Sequence, residues 1–82
     1  MTRLTPYQTH VLDLMRKGFE INLEFDYQSI HKPQKPSRAY LRKDELNELM
    51  ELKTIRCLQR DGYVRKYAGE YILTTRGWEI PL

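Results

Sequence analysis

One cysteine, Cys57, stands in a chain of 82 residues. No disulfide can form within the chain, and a zinc site built on cysteines lacks its ligands. The two histidines, His10 and His31, have no neighbour at metal-ligand spacing, so no metal and no other cofactor is expected. No apolar run approaches the roughly 20 residues of a membrane helix. The opening residues Met1-Thr2-Arg3-Leu4-Thr5-Pro6 lack the apolar core of a secretory leader, so a cytoplasmic, non-membrane protein is expected. Glycine-rich phosphate loops and Ser-His-Asp or Cys-His pairs at suggestive spacing are missing too, which argues against an enzyme. The carboxylates Asp44, Glu45, Glu48 and Glu51 do cluster. Acids near a helix N-terminus are, however, expected from the helix dipole.

Apolar residues make up 40% of the chain and charged ones 30%. That suits a single domain with one modest core and a well-solvated surface. The net charge of +3 is unevenly spread. Residues 1–30 hold 3 basic and 4 acidic side chains, net −1. Residues 31–66 hold 10 basic and 5 acidic, net +5. Residues 67–82 hold 1 basic and 2 acidic, net −1. Concentrated positive charge suggests an anionic partner.

The first element reads as a helix. Thr5 is an N-cap, Pro6 suits the first helical position and Gln8 completes a capping box. Tyr7, Val11, Leu14 and Met15 form an apolar stripe, with Thr9, Asp13, Arg16 and Lys17 on the other side and Gly18 as the stop. His10, at the edge of the stripe, has no chemical partner in the sequence. Ile21, Leu23, Phe25 and Tyr27 then alternate with Glu20, Asn22, Glu24 and Asp26, a period-2 strand with one acidic face. Pro33 and Pro36 make 28–37 an exposed basic loop. Residues 38–42 return as a partner strand, closing a hairpin-like insertion over about 20–42.

From Lys43 onward the period is helical, but the apolar stripe changes phase near Met50 and Glu51. Ile55 and Leu58 would lie opposite Leu46 and Met50 in one straight helix. Two helices joined by a tight turn, at about 43–49 and 51–61, are therefore expected. Gly62 stops the second. A hairpin follows over 63–74, with a three-residue turn at Tyr67-Ala68-Gly69 preferred because Ala68 is poorly suited to positive φ. Val64 would then face Ile72.

The stretch 54–64, Thr-Ile-Arg-Cys-Leu-Gln-Arg-Asp-Gly-Tyr-Val, resembles the recognition helix of winged helix-turn-helix proteins running into the wing. Residues 71–77, Tyr-Ile-Leu-Thr-Thr-Arg-Gly, resemble the wing exit, and 4–8, Leu-Thr-Pro-Tyr-Gln, look like the first helix of small bacterial and phage members. The resemblance implies an α+β fold: a three-helix core with a small antiparallel sheet and a β-hairpin wing. The long Pro-containing insertion departs from the usual plan.

The resemblance also implies sequence-specific binding of double-stranded DNA by a transcriptional regulator, with a repressor as the default. Helix 51–61 would enter the major groove and wing 63–74 would touch the backbone. With Leu52, Ile55 and Leu58 inward, the DNA-facing residues would be Lys53, Thr54, Arg56, Cys57 and Arg60, joined by Arg65 and Lys66 of the wing. Thr54 sits at the boundary between core and groove. His31, Lys32, Lys35 and Arg38 form a second basic cluster for backbone contacts. Each has a plainer reading. Lys53, Arg56 and Arg60 fit a solvated helix face, Cys57 fits a small packing residue, and Lys66 fits a cross-strand pair with Glu70. The aromatic residues fit core or interface. Trp78, Ile80 and Leu82 would pack on the first helix or on a second subunit, in keeping with a homodimer. The main alternative is a winged helix that binds another protein, its acidic strand face (Glu20, Glu24, Asp26) marking a basic partner. RNA binding is disfavoured, because the aromatic motifs of common RNA modules are absent.

Overall fold

The computed structural model describes residues 4–25 and 36–82. Asp26, Tyr27, His31, Lys32 and Lys35, with the roles expected of them, lie outside the described residues. The elements run α1 (Pro6–Arg16), β1 (Glu20–Phe25), β2 (Pro36–Lys43), β3 (Leu46–Met50), α2 (Leu52–Arg60), β4 (Val64–Tyr67), β5 (Glu70–Leu73) and α3 (Thr75–Glu79). The architecture is α+β. An antiparallel sheet is ordered β1-β2-β3, and β4 pairs with β5 in a second, two-stranded sheet.

Local signals account for the ends of both long helices. Thr5 Oγ1 accepts from the Gln8 amide at 3.1 Å, and Gln8 Oε1 accepts from the Thr5 amide at 3.0 Å, a reciprocal capping box. Gly18, at φ 101°, ends α1: its amide donates to the Met15 carbonyl and that of Phe19 to Leu14. Gly62, at φ 82°, ends α2 in the same way, with its amide on Gln59 and that of Tyr63 on Leu58. Both glycines thus satisfy carbonyls that a helix end leaves unpaired.

The expected helix over 43–49 is absent. Lys43 ends β2, Asp44 takes φ 52°, and the chain returns as β3 in register from Lys43↔Leu46 to Ala39↔Met50. The phase change near Met50 is real, but it marks a passage from strand to helix rather than from helix to helix. Of the apolar residues assigned to one helical face, Met50 is buried while Leu46 and Leu49 are each 62% exposed. Ladder hydrogen bonds to β2 and the burial of Met50 opposite Ala39 outweigh local helix propensity. Asp tolerates the left-handed conformation better than most residues, which lets the two-residue turn form. The third helix is instead α3, after the second hairpin.

Two smaller corrections concern register. The strand after the insertion begins at Pro36, not Arg38, and β2 is the central strand of its sheet. Pro36 is tolerated there because it is the first strand residue and faces a bulge between Glu24 and Phe25. The β4–β5 turn has two residues, with Ala68 at φ 51° and Gly69 at φ 83°. This conformation matches the twist of the strands, and Ala68 accepts the steric cost. Val64 consequently faces Leu73, and Lys66 faces Tyr71.

The core gathers Val11, Leu12 and Met15 of α1, Ile21, Ala39, Leu41 and Met50 of the larger sheet, Ile55 and Leu58 of α2, then Tyr63 and Val64. Each fully buried Leu or Val contributes about 1.5–3 kcal/mol. Ile80 packs against this cluster, whereas Trp78 and Leu82 are exposed. Arg16 fastens the C-terminal segment. Its Nε and Nη2 donate to the Gly77 carbonyl at 3.2 and 3.0 Å, and Nη2 also donates to that of Ile80 at 2.6 Å.

Candidate nucleic-acid interface

Helix α2 buries Thr54, Ile55 and Leu58 and half-buries Leu52. At about 100° per residue, Lys53, Arg56, Cys57 and Arg60 fall within a single arc on the opposite side. Lys53, Arg56 and Arg60 are exposed, Cys57 is half-buried, and Gln59 is exposed beside them. Thr54, 7% exposed, belongs to the core and is removed from the candidate contacts. Arg60 Nε lies 3.4 Å from an Asp61 carboxylate oxygen. Lys53 and Arg56 make no ion pair among the described residues.

Gly62 and Tyr63 carry the chain from α2 into β4, which sets the β4–β5 hairpin beside the helix. Arg65 and Lys66 are both exposed. The Arg65 guanidinium lies 5.5 Å from the centre of the Tyr67 ring, and Lys66 Nζ lies 5.7 Å from that of Tyr71. Lys66 is therefore directed to Tyr71, not to Glu70; the one-residue change in turn length accounts for this. Strand β1, which belongs to the other sheet, lies near β5.

Arg38, on β2, lines a shallow pocket together with Lys53 of α2. On β2 it stands opposite Glu24, while Arg42 stands opposite Glu20. Hydrogen bonding to the Tyr40 side chain, then the charges of Tyr40 and Glu24, push the Arg38 pKa up. The acidic face of β1 is thus matched by the basic row of β2, which weakens its reading as a marker for a basic partner. His10 also has a partner that the sequence did not reveal: its Nε2 lies 2.9 Å from a Glu48 carboxylate oxygen. Tyr7 donates to the Leu49 carbonyl at 3.5 Å, and desolvation by burial is the largest cause raising its hydroxyl pKa.

Sequence reasoning missed Arg76. In the sequence it belongs only to the hairpin exit, yet it leaves α3 to lie over the Tyr63 ring, 4.8 Å from the centre. A cation just after a threonine N-cap was the available signal. No group of three or more metal-ligating side chains occurs among the described residues. No helix among them is long and apolar enough to cross a membrane. No family model matches the chain, and no curated protein or solved structure matches it either.

Proposed function

We propose that the protein binds double-stranded DNA, with α2 in the major groove and the β4–β5 hairpin on the backbone. The observation that carries this reading is the row of Lys53, Arg56 and Arg60 on the outer side of α2, continued by Arg65 and Lys66. A helix fits the major groove, and lysine and arginine bind phosphates and guanine edges there. The β4–β5 hairpin that follows α2 and lies near β1 supports a winged-helix variant, one in which the β2–β3 hairpin replaces, in chain order, the first helix of a helix-turn-helix pair. Such a protein acts by occupying its site, as a regulator and not an enzyme. Titration against a pool of mixed-sequence duplexes at low salt, followed by fluorescence anisotropy, tests the reading. Arg56→Ala and Arg60→Ala each weaken binding roughly three- to tenfold if these side chains meet phosphate or base edges. Absence of binding at low salt overturns it.

A second reading, a module that binds protein, rests on a different observation. Strand β3 is an edge of its sheet and exposes both Leu46 and Leu49. Unpaired edges with apolar side chains are ready sites for strand addition by a partner or a second copy. Stable binding of a protein, together with loss of all DNA affinity, favours that reading.

A further inference from the structure

We propose that the cleft between the α2–β4 corner and α3 grips a phosphate group, with Arg65 and Arg76 as its two cationic walls. The cleft has a volume of about 540 Å³ and is lined by these two arginines, Thr74, Thr75 and Trp78, with no carboxylate in its wall. Arg76 is exposed but held in place. Its guanidinium stacks 4.8 Å from the centre of the Tyr63 ring, and its Nη2 donates to the Tyr63 hydroxyl at 3.3 Å. Tyr63 is itself 1% exposed, so this platform is fixed by the core. Neither arginine makes an ion pair among the described residues.

The fold also fixes the α3 side of the cleft. Arg16 binds the carbonyls of Gly77 and Ile80, and the Thr74 hydroxyl donates to the Gly62 carbonyl. Two cationic side chains that line one cleft favour an anion there, and the Arg65 guanidinium, now against the Tyr67 ring, would turn to meet it. Guanidinium groups suit this role because their planar N–H forks match phosphate oxygens in pairs. The shared chemistry is a phosphate anion. Its source is a backbone phosphodiester of duplex DNA or a soluble phosphate. The duplex source rests on the function proposed above; the cleft itself does not.

Trp78, the only tryptophan in the chain, lines the cleft and is 53% exposed, so its fluorescence reports on occupancy. The full chain is titrated with mixed-sequence duplex and, separately, with inorganic phosphate at constant ionic strength. Anisotropy of the duplex and emission of Trp78 are followed together. Arg76→Gln is the main variant. Arg65→Gln, on the opposite wall, serves if the first variant does not fold.

With duplex as the source, Trp78 emission changes in step with anisotropy. Each variant then weakens binding roughly three- to tenfold and lowers the salt slope by about one. Saturable quenching by inorganic phosphate that either variant abolishes, without any duplex binding, supports the cleft and overturns the DNA reading. Duplex binding weakened by Arg56→Ala and Arg65→Gln but unchanged by Arg76→Gln overturns the cleft and leaves the DNA reading standing. No response to either probe overturns both.

Discussion

A Cβ placed on Gly77 would stand 2.2 Å from the Tyr63 carbonyl oxygen, a backbone atom that cannot turn aside. The same Gly77 donates its amide to the Thr74 hydroxyl oxygen at 3.1 Å. The Thr-Thr-Arg-Gly run is therefore a packed corner: Thr74 caps α3 while Gly77 lets α3 approach β4. Gly77→Ala is expected to destabilise the protein by about 1–3 kcal/mol through overpacking, measured by urea unfolding. Arg16→Gln removes charge-assisted hydrogen bonds to two carbonyls. A loss of about 1.5–3 kcal/mol is expected, with a change in Trp78 emission as the C-terminal segment loosens. Legibility at this scale follows sequence distance. The Thr5 and Gln8 box was readable because its partners are three residues apart. Arg16 has the pattern of an outward cation because its partners lie 61 and 64 residues away.

Helix α2, both glycine stops and the β1–β2 pairing follow from periodicity and turn chemistry, and these elements were legible. The stretch that became β3 was not. Leu-Asn-Glu-Leu-Met has neither the clean alternation of a strand nor a weak helix propensity, and only pairing with β2 decides its state. Leu46→Thr with Leu49→Thr tests that assignment. On an exposed strand the pair changes stability by less than about 1 kcal/mol in urea unfolding, because little apolar area is lost. A buried helical stripe would lose several times as much. The hairpin turn offers a second test. Ala68 at φ 51° bears a steric cost that Asn tolerates better. Ala68→Asn is expected to stabilise the protein by about 0.5–1 kcal/mol, seen as a higher urea midpoint with unchanged slope.

Across the whole molecule, charge is sorted by face. The acids of β1 are matched against Arg38 and Arg42 of β2 in the larger sheet. The cations of α2, β4 and α3 have few carboxylate partners among the described residues. The sequence showed that the positive charge lies in the middle of the chain. It did not show that β2 sets Arg38 and Arg42 opposite Glu24 and Glu20, while Lys53, Arg56, Arg65 and Lys66 make no ion pair among the described residues. Nor did it show that Arg76, 11 residues beyond Arg65, lines one cleft with it. The salt dependence of binding to mixed-sequence duplex DNA tests the central claim most directly. A face that neutralises roughly four to six phosphates gives a slope of log affinity against log salt of about −4 to −5. A slope near zero, or no binding at low salt, would contradict the account.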